Sequence, residues 1–320
     1  MLRSFLIYLS QADWMRRRVM AWKIARKVAL RFVAGETLED AIKVVKELNS
    51  GGMYATMDQL GEHTLTVDQA KKTTQDLCHI LNTIDESGIR SGLSVKLTQI
   101  GLLIDEVLCA ENLIQILTLA REKNIFLRID MEDSSCIDAT FRIYWKMRQE
   151  FEFENVGMVI QSYLYRSQQD VKELLSADTK IRLVKGAYKE PDEIAYPKKS
   201  DVDQSFDLIT RMLLDHAKRE DSPPVSNDGK WPPVTAIGTH DKTLIDSAIR
   251  YAEEIGVPKV KLEIQMLYGI RRDLQQELAS RGYPVRVYVP FGSEWYPYFM
   301  RRLAERPANL WFFISSYFKK

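Results

Sequence analysis

Near the C-terminal end of the chain, Tyr298-Phe299-Met300-Arg301-Arg302-Leu303-Ala304-Glu305 sets two guanidiniums side by side, with a tyrosine three residues before the first. On a helix adjacent residues diverge by roughly 100°, so Arg301 and Arg302 share a target only if an anion draws their long stems together. Tyr298, Arg301 and Glu305 fall on one helical face. The forked donors of two arginines match a small carboxylate bidentately. Placed at the start of a helix just past the strand-like run 285–290, they would also gain its positive N-terminal field. The plainer alternative is a surface pair that snorkels and binds Glu305.

Two more charges stand inside apolar, β-prone runs: Lys96 in 93–98 and Asp130 in 125–131. Burying either one unpaired is costly, so each needs a partner or a ligand. The elements that must position them recur along the chain. Runs at 52–58, 93–98, 125–131, 156–163, 181–184, 234–238, 260–265 and 285–289 read as strands. Between them, 67–86, 108–123, 138–151 and 242–255 have helical periodicity, and 37–49 reads as a helix capped by Thr37. This alternation predicts an α/β chain, a (β/α)8 TIM-type barrel with extra N-terminal helices. The expected division is 1–50 for helices packed on the barrel and 51–320 for the barrel itself. A doubly wound open sheet is the alternative, but no Gly-x-Gly-x-x-Gly follows an early strand. The Ser-, Pro- and Gly-bearing segment 219–233 reads as an insertion loop.

Barrel chemistry sits at the C-terminal ends of the strands. Reading the polar residues there gives Glu62 after the first, Lys96 on the second, Asp130 on the third and Gln161 on the fourth. Arg182 and Lys185 come from the fifth, Thr239 and His240 from the sixth, Gln265 from the seventh and Tyr288 from the eighth. Each alone is easily a cap or a layer filler. Polar groups delivered by nearly every strand to one rim are what a binding site requires.

Composition narrows the class. A net charge of +1 gives no global drive toward nucleic acid. Cys78, Cys109 and Cys136 are in no paired spacing, which suits a reducing compartment, and the four histidines form no metal-ligand pattern. No apolar run reaches the ~20 residues that span a bilayer, and the first ten lack a signal-peptide core. The expectation is a cytoplasmic protein. Its first 35 residues nevertheless carry Arg3, Arg16, Arg17, Arg18, Lys23, Arg26, Lys27 and Arg31 among apolar residues, against Asp13 alone. Such a helix can lie on an anionic surface, here the inner face of the cell membrane, or pack on its own domain. The aromatics of Leu310-Trp311-Phe312-Phe313-Ile314 near the end could likewise touch lipid, close the core or cover a cofactor.

Several motifs occur in order: Ser94-Val95-Lys96-Leu97, Arg128-Ile129-Asp130-Met131-Glu132, Val159-Ile160-Gln161-Ser162-Tyr163 and Arg182-Leu183-Val184-Lys185-Gly186-Ala187-Tyr188. Gly238-Thr239-His240, Glu263-Ile264-Gln265-Met266-Leu267-Tyr268-Gly269 and the stretch from Tyr288 to Glu305 follow. Together they resemble the proline dehydrogenases, in particular the short bacterial monofunctional form, over about 51–313. The resemblance implies FAD bound on a barrel without a dinucleotide fingerprint, and hydride transfer from C5 of L-proline to flavin N5. It implies Δ1-pyrroline-5-carboxylate as product, electrons passed to a quinone, and a separate pyrroline-5-carboxylate dehydrogenase for the next step of proline catabolism.

Residue by residue, the resemblance sets Arg182 beside flavin N5, Gln161 on the pyrimidine edge, and Lys185, Gly186 and Ala187 against the cofactor. Lys199, Thr239, His240 and Gln265 complete the cofactor contacts. Arg301 and Arg302 would clamp the proline carboxylate, walled by Lys96, Asp130, Tyr288 and Tyr298. Glu62 would pair with Arg301 as a lid, although Met57-Asp58-Gln59-Leu60-Gly61-Glu62 departs from the Ser/Gly-rich loop common there. A class I aldolase using Lys96 or Lys185 as Schiff base is the rival enzyme. A non-catalytic membrane-surface scaffold is the rival from another class.

Overall fold

The computed structural model describes residues 15, 19, 26, 28–61 and 64–305, with backbone only at 304 and 305. Eight parallel strands close into a barrel in sequence order. They are β1 Tyr54–Gln59, β2 Ser91–Val95, β3 Leu127–Ile129, β4 Val156–Gln161, β5 Ile181–Val184, β6 Thr235–Gly238, β7 Leu262–Leu267 and β8 Val285–Phe291. The outer layer holds α1 Leu38–Ser50, α2 Val67–Glu86, α3 Glu106–Glu122, α4 Ile137–Gln149, α5 Ser167–Leu175, α6 Lys199–Ala217, α7 Lys242–Ile255, α8 Arg272–Ser280 and α9 Trp295–Glu305. The predicted barrel is therefore present, and several elements start and stop where the sequence pattern changes.

Local chemistry sets those boundaries. Thr37, Thr66, Asp105 and Asp241 each accept a backbone N–H in the first turn of α1, α2, α3 and α7, satisfying donors that a helix start leaves open. β2 and β4 are buried along their whole length, since helices cover one face and the barrel interior the other. β7 begins at Leu262, two residues later than the apolar run, because Lys259–Lys261 forms a 3-10 turn.

The N-terminal half of the barrel interior is filled by charge in mutual contact. Arg286 donates from Nε and Nη2 to the two oxygens of Glu263 at 2.9 and 3.0 Å, and from Nη1 to Ala55 O at 2.9 Å. The segment 219–233 closes this end. Gly229 O accepts from Arg286 at 2.9 Å, and Trp231 lies with its ring centroid 5.7 Å from that of Phe126. Gly229 sits at φ +68 against the Tyr54 ring, where any Cβ would collide. With that floor sealed, open space remains at the strand C-termini. Over that end lies a second apolar cluster, in which Val28, Ala29, Phe32 and Val33 pack with Trp295, Tyr296, Phe299 and Leu303 of α9.

Candidate active site

At the C-terminal rim a cavity of about 380 Å³ opens, within the range of small-molecule sites (about 300–1,000 Å³). Its wall holds Lys96, Asp130, Arg182, Lys185, Gly186, Ala187, Thr239, His240, Gln265, Tyr288, Tyr298, Arg301 and Arg302, all expected from the sequence. Residues scattered over two hundred positions thus meet because parallel strands all end on one side.

Asp130, one residue past β3, is the hub. Its Oδ1 accepts from Arg182 Nη1 at 3.1 Å and Ser94 Oγ at 3.2 Å, while Oδ2 accepts from Tyr288 at 2.6 Å. Arg182 also donates to Ser94 Oγ at 3.0 Å, and its guanidinium carbon lies 5.2 Å from the Tyr288 ring centroid. Lys96 Nζ is 3.0 Å from Asp58 Oδ1 and 3.8 Å from Asp130 Oδ2. Two cations thus face two carboxylates in a site almost shut off from water. Burial, and then the charges of Asp130 and Asp58, push the Tyr288 phenol well above its ordinary range, so it serves as a neutral donor. Burial raises Asp58 as well, against the opposing pull of Lys96.

Asp58 and Ser94 belong to this network, although neither was expected from the sequence as a site residue. The signal was there for Asp58: it interrupts the apolar run of β1 as Lys96 and Asp130 interrupt theirs. A buried serine on a strand leaves no such trace.

A second constellation borders the same cavity on the β5–β6 side. Lys185 reaches Asp203 at 2.6 Å and Asp241 at 3.0 Å. Lys199 pairs with Asp203 and lies 3.8 Å from Asp241, but its side chain is largely exposed and does not line the cavity. Burial works against both carboxylates, yet the bonds from these lysines hold Asp203 and Asp241 below their usual range. Gly186 takes φ +118 here, and a Cβ would come within 2.5 Å of the Tyr163 ring, so the loop after β5 passes this ring only as glycine. His240 Nε2 accepts from Leu267 N–H at 2.9 Å, which sets its tautomer. Each lysine of the aldolase alternative is engaged by two carboxylates.

The arginine pair needs one correction. Its helix begins at Trp295, not near Tyr298, so Arg301 and Arg302 lie in the second half of α9, beyond the reach of its N-terminal field. Pro297 is the reason: in the first turn its missing N–H has no intrahelical partner to lose, so the helix runs through it. What orients Arg302 is Tyr298, four residues back, whose ring centroid lies 4.8 Å from the guanidinium carbon. Tyr288 likewise sits in the middle of β8, not at its end. Glu62 and its lid role lie outside the described residues.

The wall fits a planar cofactor with both donor and acceptor edges. Gln161, buried at the end of β4 and outside the cavity lining, donates to Glu132 O at 2.8 Å, while its Oε1 has no partner among the described residues. Arg182 Nε is likewise buried without one. The open donor of Arg182 on the wall and the glycine-only loop after β5 suit a flavin ring, while Gln161 lies behind that lining.

Comparison with known proteins agrees with this geometry. The proline dehydrogenase family model matches residues 41–314. Proline dehydrogenase 1 of Bacillus subtilis (strain 168) is 40% identical over 320 residues, covering 100% of both chains. Proline dehydrogenase of Deinococcus radiodurans is 39% identical over 312 residues, covering 97% of this chain and 94% of that one. Among solved structures, proline utilization A (PutA) from Bdellovibrio bacteriovorus inactivated by N-propargylglycine superposes with a TM-score of 0.77 at 26% identity. The match covers 88% of this chain and 33% of that one, so this chain spans about a third of its length. From barrel, rim and relatives together, this chain belongs to the proline dehydrogenase family.

Proposed function

We propose that the chain oxidises L-proline to Δ1-pyrroline-5-carboxylate, with FAD as two-electron acceptor and a quinone as the onward acceptor. When bound, FAD would supply a hydride acceptor at N5 for the hydrogen leaving proline C5. Arg182, Lys185, Gly186, Ala187, Thr239, His240 and Gln265 on the cavity wall would hold it, with Gln161 behind the wall and Lys199 acting through its ion pairs to Asp203 and Asp241. The observation that carries the reading is one cavity lined by both the Arg301/Arg302 pair and the Arg182–Asp130–Tyr288 network.

Each part has a task. Arg301 and Arg302 hold the carboxylate, which fixes the substrate ring in attack geometry, largely an orientation effect. Arg182, held by Asp130 and Ser94 before any ligand arrives, places positive charge where negative charge develops on reduction. Tyr288 and Tyr298 wall the ring. The ring nitrogen must carry a lone pair when hydride leaves, and the cations Lys96, Arg301 and Arg302 disfavour its protonated form.

The product would pass to a separate pyrroline-5-carboxylate dehydrogenase, and peripheral contact with the cell membrane would bring the quinone within reach. The two chain ends behind that expectation lie largely outside the described residues, among which no helix is long and apolar enough to cross a membrane. Purified protein tests the proposal. It should be yellow, bleach anaerobically on addition of proline, and regain colour with a quinone. A colourless preparation that binds no added FAD, or a yellow one unmoved by proline, refutes it.

A further inference from the structure

Two carboxylates line the cavity, and they differ in what remains open on them. Asp130 has both oxygens engaged, Oδ1 by Arg182 and Ser94 and Oδ2 by Tyr288. Asp58 is 1% exposed, and only its Oδ1 is engaged, by Lys96 at 3.0 Å. Its Oδ2 is buried with no hydrogen-bond partner among the described residues. A buried acceptor left open on a cavity wall calls for a donor from the ligand, since a desolvated oxygen with no hydrogen bond is costly. Resting on the reading of this cavity as a proline site, only one group of that substrate can answer. The carboxylate donates nothing and the ring carbons are apolar, whereas the ring nitrogen arrives as an ammonium with two N–H bonds.

We propose that Asp58 Oδ2 binds the substrate's ring nitrogen and accepts its proton before hydride leaves. One N–H bond of the ammonium breaks and one O–H bond forms on Asp58, giving a neutral amine and a neutral carboxyl group. The electron pair of the broken bond stays on nitrogen, where it can form the C=N bond. The groups facing Asp58 suit the exchange. Burial above all, and then Asp130 past β3, raise the affinity of Asp58 for a proton, while Lys96 just past β2 and the nearby Tyr288 hydroxyl steady its charged form before substrate enters. Tyr288 on β8 stays a neutral donor, Arg182 on β5 is held by Asp130, and Arg301 and Arg302 of α9, on the same wall, take the substrate carboxylate. No other carboxylate on the wall has a free oxygen for the task.

The test compares proline with its ring-oxygen analogue, tetrahydrofuran-2-carboxylate, which has the same carboxylate and ring size but no N–H. Binding of each is followed by the flavin spectrum of the holoenzyme, for wild type, Asp58→Asn and Asp58→Glu. Asp58→Asn is expected to weaken proline about tenfold or more at neutral pH and the ether less than about threefold, the difference being one charge-assisted hydrogen bond. Its kcat/KM should then climb about tenfold per pH unit between pH 7 and 9, tracking the free amine, where wild type is nearly flat. Asp58→Glu, which keeps a carboxylate, should restore the flat profile even at reduced rate. Equal weakening of both ligands would overturn the proposal, because Asp58 would then act only by holding Lys96. An Asp58→Asn profile parallel to wild type would also overturn it, and should Asp58→Asn not fold, a steep Asp58→Glu profile does so alone. A wild-type protein that proline does not bleach sinks the parent reading instead, a result separate from all of these.

Discussion

Replacing Asp130 with asparagine keeps shape and one acceptor oxygen but removes a negative charge from the centre of the rim. Before the change, Asp58 and Asp130 face Lys96 and Arg182, two charges of each sign. Afterwards one carboxylate faces two cations, and Arg182, only 6% exposed, retains Ser94 as its neutral partner. Breaking a buried pair by removing one member costs about 3–5 kcal/mol, because the survivor stays desolvated. With an unfolding entropy of about 2.1 cal/mol/K per residue over 320 residues, that loss lowers Tm by about 4–7 °C. Scanning calorimetry of purified protein without proline reads it, with Arg182→Met and the double variant completing a cycle. The double variant should cost clearly less than the sum of the singles, since it strands neither charge. A Tm drop below about 1 °C for Asp130→Asn, or strict additivity in the cycle, would refute the reasoning.

Arg301→Met and Arg302→Met should each weaken proline by more than about 100-fold while flavin content stays near wild type, and near-normal proline saturation in either removes the clamp. Tyr288→Ser, which empties ring volume and cuts the 2.6 Å bond to Asp130, should narrow the preference for L-proline over 4-hydroxyproline by about 1–3 kcal/mol, mainly by slowing proline; an unmoved kcat/KM ratio counts against it. Asp203 and Asp241 are held below their usual range, so their contribution is present above the unfolded-state pKa of about 3.9 and lost as pH falls below it. Asp241→Asn should therefore lower stability at pH 7 and leave it little changed near pH 2, and an equal loss at both would contradict this. Flotation with anionic vesicles should carry the protein upward more strongly with proline than without, whereas no flotation in either state returns the basic and aromatic ends to ordinary packing.

The sequence made the barrel legible because each strand is a short apolar run set between longer amphipathic ones, and period alone separates them. β5 and α2 match to the residue, since Thr66 caps the helix and flanking polar residues stop the strand. Lys96 and Asp130 stood out as charges in apolar surroundings, and the structure gives each a partner of opposite sign. Asp58 was missed because it ends the run 52–58 and Glu62, just after it, reads as the polar group of the first strand. The start of α9 lies earlier than the arginine pair suggested because Pro297 in the first turn costs the helix no hydrogen bond. The charged floor of Glu263 and Arg286 was illegible for a different reason. Their pairing depends on register across the closed sheet, and no local pattern encodes it.

The bond from Arg286 to Ala55 O joins residues 231 apart, and β1 pairs with β8 along its whole length. A ribosome making this chain releases the first strand long before the last one exists. Until β8 emerges, β1 is a bare edge able to recruit a neighbouring polypeptide, and closure comes last, with the largest loop to order. The arginine-bearing helix follows β8, so no shorter nascent chain carries the clamp. Selection for swift, clean closure therefore falls on the same segment, β8 through α9, that carries Arg301 and Arg302, and a variant there can fail in the cell through aggregation before its catalysis is ever measured.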